Sequence, residues 1–482
     1  MSSEIFELVV GLEVHIQLLT SSKAYSSDPA EYGALPNTNV SVITLGHPGT
    51  LPLFNKQVVE YAVKLGLACG CTIREENQFA RKNYFYADLP KGYQITQDKT
   101  PICTGGKIRI KLDGEMKDIA LTRIHMEEDA GKSMHDQDAY DSLVDLNRAG
   151  VPLLEMVSEP DMRSAEEAYA YLTEVRKLVR YLEICDGNME EGSMRCDANI
   201  SVRKKGAVEY GVKVEVKNMN SIRNVQRAIE FETKRQISLI ESGEIINQET
   251  RSFDAVNGTT FSLRSKEKAN DYRYFPEPDL TPVLVTESYI KEIESLMPPL
   301  PDALHDRFTN EFGLSIYDAG ILTDSKPIAL YFAELTNHTT NYKAAANWMN
   351  GPVKSYLNER ALEIHQFPLK AKKISEIITL IDEGKISFSV ASQKLFPYLT
   401  ENPDSNPHEV AESNNWLQED DSESMQKWIS EVIAQYPDKV IEYKNGKTGL
   451  IGLFMGEVMK LSKGKADPKK ANQQVRDALA KA

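Results

Sequence analysis

The 482-residue sequence predicts an α+β chain, with largely antiparallel sheet in its N-terminal part and helix alone after it. Three observations carry that reading. Residues 6–18 and 190–221 alternate apolar and polar side chains with period two, as half-buried strands do. Strands and helices up to Pro282 are interspersed without a regular βαβ rhythm. Near 297–301, MPPLP, the pattern changes to helical 3.6-residue spacing with few strand candidates.

Taken in order, the first strand places Phe6, Leu8, Val10, Leu12, Val14, Ile16 and Leu18 toward a core. Glu13, His15 and Gln17 share its other face. Residues 21–55 are rich in Pro, Gly, Asn and Ser and read as loop with short strands. Residues 57–68 form a short amphipathic helix, and 82–97, mixing aromatics with turn residues, an ordered loop. Residues 107–127 make a hairpin turning at Asp113-Gly114, which leaves Glu127 and Glu128 at a strand end. Residues 142–157 read as strand, Gly-Val-Pro break, strand. Ser164 is the N-cap of a helix to about Glu183, with Glu167 placed to complete a capping box.

The stretch 190–221 is a two-stranded ribbon joined through Lys204, Lys205 and Gly206. Cys196, Ala198, Ile200 and Val202 form its apolar face with Val212, Val214 and Val216. Arg195, Asp197, Asn199, Ser201 and Arg203 face the other way, beside Lys213, Glu215 and Lys217. That face reads as the floor of a site for a charged ligand or as a solvated face. A helix from about Ser221 to Ser242 follows, then strands and turns to Pro282. A second polar break, ENPDSNPHEVAESNN at 401–415, gives three expected parts: 1–294, 295–405 and 406–482.

Hydrophobic residues make up 41% and charged residues 26%, an ordinary soluble composition. No uninterrupted apolar run is long enough to span a bilayer, and the N-terminus lacks the basic start and apolar core of a signal peptide. A cytoplasmic protein with no membrane partner is expected. Cys69, Cys71, Cys103, Cys185 and Cys196 show neither a disulfide framework nor zinc-like spacing. The net charge of −15 does not suggest nucleic acid, but Lys460, Lys463, Lys465, Lys469, Lys470, Arg476 and Lys481 form a basic tail suited to a polyanion.

Glu13, Glu127, Glu128, Glu155, Asp197 and Glu215, with His15, lie on or near different strands. Carboxylates converging from several strands suit Mg²⁺ and a nucleoside triphosphate, because hard cations take oxygen ligands. Arg195 and Arg203 could stabilise a transferring phosphate. The plain alternative is a set of rim acids that never meet. No GxxxxGK[ST], GxGxxG or GxSxG is present; AGKS at 130–133 lacks the upstream glycine. ATP, if used, is used without a P-loop.

Longer motifs then become decisive: GLEVHIQL at 11–18, RKNYFYADLPKGYQITQ at 81–97, HMEEDAGK at 125–132 and DLNRAGVPLLEMVSEPD at 145–161. EEGSMRCDANISVR at 190–203, EVKNMNS at 215–221, DYRYFPEPDL at 271–280 and NGKTGLIGLFMGEVMKLSKGKADP at 445–468 join them. Along nearly its whole length the sequence closely resembles the family of B subunits of aspartyl/glutamyl-tRNA(Asn/Gln) amidotransferase. The resemblance implies a catalytic domain of glutamine synthetase/guanido kinase fold, followed by helical tRNA-binding appendages. It implies ATP and Mg²⁺ as cofactors, and a heterotrimer with the glutaminase (the A subunit) and the small C subunit. It implies misacylated tRNA as substrate, its side-chain carboxylate phosphorylated and then amidated by ammonia channelled from the glutaminase. Carried over by motif, Glu13, His15, Glu128 and Glu155 fall at the metal site, and Glu127, Asp197 and Glu215 in the same pocket with Arg195. Arg203 and Lys217 fall to the nucleotide, and Lys460, Lys463, Lys465, Lys469 and Lys470 to tRNA.

Two features depart from the family pattern. Many relatives carry zinc cysteines where this chain has Ser26, Asp28, Ser41 and Thr44, so no structural zinc is expected. Ala87 stands where relatives usually have Pro. Two other readings stay open: a stand-alone carboxylate–amine ligase using free ammonia, and a non-catalytic tRNA-binding scaffold.

Overall fold

A computed structural model describes every residue except 1–4, 136, 139, 266–271, 419–421, 463–465, 467 and 482. The chain divides into two compact units, Met1–Leu300 and Pro301–Ala482. The first carries, in chain order, β1 (Phe6–Gln17), β2 (Ala80–Asn83), β3 (Tyr93–Thr96), β4 (Lys107–Leu112), β5 (Glu115–Glu128) and β6 (Pro152–Ser158). β7 (Met194–Lys204), β8 (Val214–Met219), β9 (Glu249–Asp254) and β10 (Thr259–Ser265) follow. A ten-stranded sheet runs β10-β9-β8-β7-β1-β6-β5, continues through short strands at 103–104 and 72–73, and pairs β4 with β5. β8 and β9 are parallel; the other pairs are antiparallel. The expected mixed, mainly antiparallel architecture is therefore present.

One face of this sheet is the core. Val10, Leu12, Val14 and Ile16 of β1 are fully buried. Three helices cover them: α1 (Lys56–Ala68), α2 (Ala165–Tyr181) and α3 (Ile222–Ser242). Each presents an apolar stripe at three- and four-residue spacing: Val58, Ala62 and Leu65 on α1, Ala168, Leu172 and Val175 on α2, Val225, Ala228 and Ile229 on α3. Burying each large aliphatic side chain there stabilises by about 1.5–3 kcal/mol. The opposite face is left for polar chemistry.

Local signals set the elements. Asp113 and Gly114 both take positive φ, +51° and +88°, as a two-residue hairpin turn requires. Ser164 Oγ accepts from Glu167 N at 3.1 Å and starts α2. The capping box does not close: Glu167 Oε2 accepts instead from Arg163 N and Lys117 Nζ, both at 2.7 Å. Ser221 caps α3, and Gly243, with φ +77°, ends it.

Two expectations need correction. Residues 82–97 are not loop throughout: β2 and β3 pair antiparallel and form a small sheet with 275–276. Strands of four residues are too short for period two to show. In the ribbon, Val212 is exposed and precedes β8, which begins at Val214. A register shift between Cys196 and Ala198 also bends the pairing of β7 with β8.

The second unit is helical from Pro301–Asp306 to Pro468–Lys481. Phe308, Phe332, Trp348, Ile374 and Leu395 are buried in its first part. Its last part has a separate cluster, in which Ile429 and Val432 pack with Phe454, Val458, Val475 and Leu479. Among the described residues no helix is long and apolar enough to cross a membrane.

Candidate active site

On the polar face the register decides which side chains meet. His15 on β1 lies opposite Glu155 on β6 and Arg195 on β7, and Glu155 lies opposite His125 on β5. One row across four strands thus reads Arg195, His15, Glu155, His125. Two residues along, Glu13 is opposite Asp197, and Asn199 is opposite Glu215 on β8.

The first row builds an acid–imidazole cluster. Glu155 Oε2 is 3.4 Å from His15 Nε2 and 3.6 Å from His125 Nε2. The same His125 nitrogen is 3.4 Å from Glu127 Oε2, which accepts from Thr96 Oγ1 at 2.7 Å. Lys82 Nζ stands 3.7 Å from Glu127 Oε1. Burial alone would lower His15, but its hydrogen bond and charge contacts with Glu155 outweigh this and raise it above the usual histidine value. Burial would raise Glu127 and Glu155. Lys82 and His125 hold Glu127 below the ordinary carboxylate value, and His125 and His15 do the same for Glu155.

The second row builds an all-oxygen group. Glu13, Asp197 and Glu215 each place an oxygen within 4.8 Å of the other two. Asn199 Nδ2 donates to Glu13 Oε1 and Thr250 Oγ1 to Glu215 Oε2, both at 2.8 Å. Lys217 Nζ donates to Asp197 and lies 3.0 Å from Glu215 Oε1. Beside both groups, Asp129 accepts from Arg195 Nη2 at 2.5 Å and Gln17 Nε2 at 2.6 Å.

Both groups fit a divalent cation on their donor chemistry. Glu13, Asp197 and Glu215 offer only carboxylate oxygen, the ligand set of Mg²⁺. His125, Glu127 and Glu155 offer nitrogen and oxygen, also within 4.8 Å of one another. His125 Nδ1 is buried without a hydrogen-bond partner. In both groups a lysine ammonium stands against the carboxylates, Lys217 in one and Lys82 in the other.

Glu13, His15, Glu127, Glu155, Arg195, Asp197, Glu215 and Lys217 therefore gather on one face. Glu128 does not join them. Adjacent residues on a strand face opposite ways, so Glu128 lies on the other side from Glu127. It is buried against Lys91 Nζ, 2.7 Å from its Oε2, and Ile95 N, 2.8 Å from its Oε1. Arg203 is also apart. It pairs with Glu7 at 2.6 Å and stacks on Tyr210, six residues, or about 20 Å, along the strand from Asp197.

Ser26, Asp28, Ser41 and Thr44 converge without a thiolate. Asp28 Oδ2 accepts from the Thr44 hydroxyl at 2.5 Å and from Ser41 N at 2.8 Å, and Thr44 Oγ1 is 3.2 Å from Ser26 Oγ. In the tail, Lys460 is exposed beside Glu457, and Lys469 and Lys470 open the last helix. Lys463 and Lys465 lie outside the described residues.

His125, Lys82 and Asp129 were not among the expected site residues. The signal for His125 was its position two before Glu127, which puts both on one strand face. Lys82 sits in a four-residue strand and Asp129 just past the end of β5, where sequence gives no facing partner.

The family model of the GatB/GatE catalytic domain matches residues 8–291, and that of the GatB domain matches 330–479. Along its full length the chain is 49% identical over 470 residues to the B subunit of the aspartyl/glutamyl-tRNA(Asn/Gln) amidotransferase of Thermodesulfovibrio yellowstonii, covering 98% of each chain. The chain belongs to this B-subunit family. The B subunit of Alkalilimnicola ehrlichii is 48% identical over 476 residues, and that of Chlorobaculum tepidum 49% over 474, each covering 98% of this chain and 99% of the relative. The GatB/GatE match contains both carboxylate groups, and the GatB match contains the basic tail through residue 479.

Proposed function

We propose that the chain is the carboxylate-activating subunit of a glutamine-dependent tRNA amidotransferase. It would convert Glu-tRNA(Gln) to Gln-tRNA(Gln), Asp-tRNA(Asn) to Asn-tRNA(Asn), or both. The observation that carries this reading is the pair of carboxylate groups side by side on one sheet face, in a chain of this family. The sheet unit is read as a glutamine synthetase/guanido kinase fold, and the chain as cytoplasmic.

In the proposed reaction an oxygen of the aminoacyl side-chain carboxylate attacks the γ-phosphorus of ATP, and ADP leaves. Ammonia then adds to the carbonyl carbon and loses a proton, and phosphate departs with one of the original carboxylate oxygens. Without activation the leaving group would be oxide. Glu13, Asp197 and Glu215 are the residues that would hold Mg²⁺ in one group, and His125, Glu127 and Glu155 those that would hold it in the other, with His15 beside Glu155. When bound, the metal offsets repulsion between the triphosphate and the carboxylate. Arg195, oriented by Asp129, which also accepts from Gln17, and Lys217, held between Asp197 and Glu215, supply positive charge for phosphate oxygens. Glu127 and Glu155, kept ionised by Lys82 and the imidazoles, present the negative charge that a cation there would meet.

The ammonia would come by channel from the glutaminase, the A subunit, in a heterotrimer completed by the C subunit. ATP hydrolysis dependent on misacylated tRNA, measured with and without those partners, tests this. Turnover on Glu-tRNA or Asp-tRNA, with amide formed only when glutaminase is present, is expected. Amide formation from a free amino acid would favour a stand-alone ligase, and no turnover at all a scaffold.

A further inference from the structure

Beside the acid–imidazole cluster lies a group of aromatic rings that the proposed chemistry does not use. They come from two short segments, 84–86 and 272–275. Tyr84 packs on Tyr86 with ring centres 5.7 Å apart and on Tyr272 at 6.0 Å, and Tyr272 packs on Tyr274 at 5.9 Å. All three contacts are edge-on, with interplanar angles of 65–70°. Rings so arranged in a core would be buried. Here Phe85 is 87% exposed, Tyr86 58% and Tyr274 41%. An exposed aromatic cluster of this kind marks a surface for something else.

Lys82 ties the rings to the acids. Its ammonium is 3.7 Å from Glu127 Oε1 and 5.3 Å from the centre of the Tyr272 ring. The first ring is therefore no farther from the acid than those two contacts in succession. A base seated on these rings would carry the aminoacyl group on its ribose toward the acids. Aromatic faces take unpaired bases regardless of sequence, by stacking.

Resting on the proposed function, the geometry points to a base-stacking platform for the unpaired 3′ end of the tRNA, formed by Tyr86, Tyr272 and Tyr274. Two features favour this occupant over the adenine of ATP. Several rings in succession suit consecutive bases, whereas a free nucleotide needs only one. Tyr86 and Tyr274 are also open to solvent, and a tethered base needs less enclosure than a free one.

The test uses the full chain assembled with the other subunits and a misacylated tRNA whose terminal adenine is replaced by 2-aminopurine, a fluorophore quenched by stacking. Binding to wild type should quench it. In Tyr86→Leu/Tyr274→Leu, quenching should largely disappear and the KM for tRNA rise at least ~5-fold, with the KM for ATP unchanged. Tyr86→Phe/Tyr274→Phe, which keeps the rings, should behave as wild type. If the double leucine variant lost its cooperative melting transition, the single Tyr86→Leu on a mostly exposed ring carries the same expectation. Undiminished quenching in the leucine variants overturns the platform. So does a raised KM for ATP with quenching intact, which would assign the rings to ATP. Loss of subunit assembly with quenching intact overturns it in favour of a protein interface. A wild-type complex that formed amide without quenching the probe would remove the platform alone. One that ignored misacylated tRNA would remove the proposed function with it.

Discussion

Glu127 and Glu128 are neighbours in sequence and end on opposite sides of the same strand. Glu127 joins His125 and Glu155, whereas Glu128 is closed off by Lys91 and the Ile95 amide. The two should respond differently to the same substitution. Glu128→Gln leaves Lys91 without its counter-charge in a buried position, which typically costs about 3–5 kcal/mol. A lower melting temperature, partly restored by adding Lys91→Met, is expected. Glu127→Gln should lose tRNA-dependent ATP turnover with a smaller stability cost, because Glu155 remains to compensate Lys82. Equal loss of stability in the two variants would contradict the placement.

Lys217 occupies the middle of the second acid group. An ammonium there competes with a cation for the same oxygens. Lys217→Met should therefore bind Mn²⁺ or Mg²⁺ severalfold more tightly in the absence of nucleotide, read by calorimetry, while ATP turnover falls. Weaker metal binding in the variant would show that Lys217 supports the cation site instead.

Asp28 gathers the loop where relatives carry cysteines. Burial would raise its carboxyl, but hydrogen bonds from Thr44, Ser41 and Ser26 outweigh this and lower it. A carboxylate depressed on folding stabilises above its unfolded value near 3.8, and that contribution is lost as pH falls through the folded value. Asp28→Ala should cost about 1–3 kcal/mol at neutral pH and flatten the acid side of the stability profile. Metal analysis of the wild-type protein should find no equivalent of tightly held zinc. An unchanged melting temperature in Asp28→Ala would show that the network does not stabilise the loop.

The tail should add tRNA affinity through phosphate contacts. Removing it wholesale is the wrong experiment, since Val475 and Leu479 complete an apolar cluster with Phe454 and Val458. Lys460→Glu with Lys470→Glu leaves that cluster intact. The pair should weaken tRNA binding and lower the slope of log K against log salt by about one unit for each lysine that had met a phosphate. An unaltered slope would place the tail away from the nucleic acid.

The strands around the site were legible because period two sets which of their side chains share a face. Glu13 with His15, and Asp197 with Arg195, are each two apart, so their shared face followed from sequence alone. The alternation also separates Glu127 from Glu128, although both were expected in one pocket. Arg203 lies on the same strand face as Asp197, but the face is long, and six residues carry it to Glu7. β2 and β3 were not legible, because four-residue strands flanked by aromatics leave too few positions for periodicity. The pairing of His125 with Glu155 depends on the register between β5 and β6, which no local pattern fixes.

The central claim is that this chain phosphorylates the aminoacyl carboxylate at the Glu155 cluster. Glutamate carrying ¹⁸O in its side-chain carboxylate, esterified to tRNA(Gln), tests it with the assembled complex, ATP and glutamine. One ¹⁸O should appear in inorganic phosphate for each amide formed. In Glu155→Gln both amide and labelled phosphate should fall ~100-fold or more while tRNA still binds. Amide formed with unlabelled phosphate, or label transfer at the wild-type rate in Glu155→Gln, would contradict it.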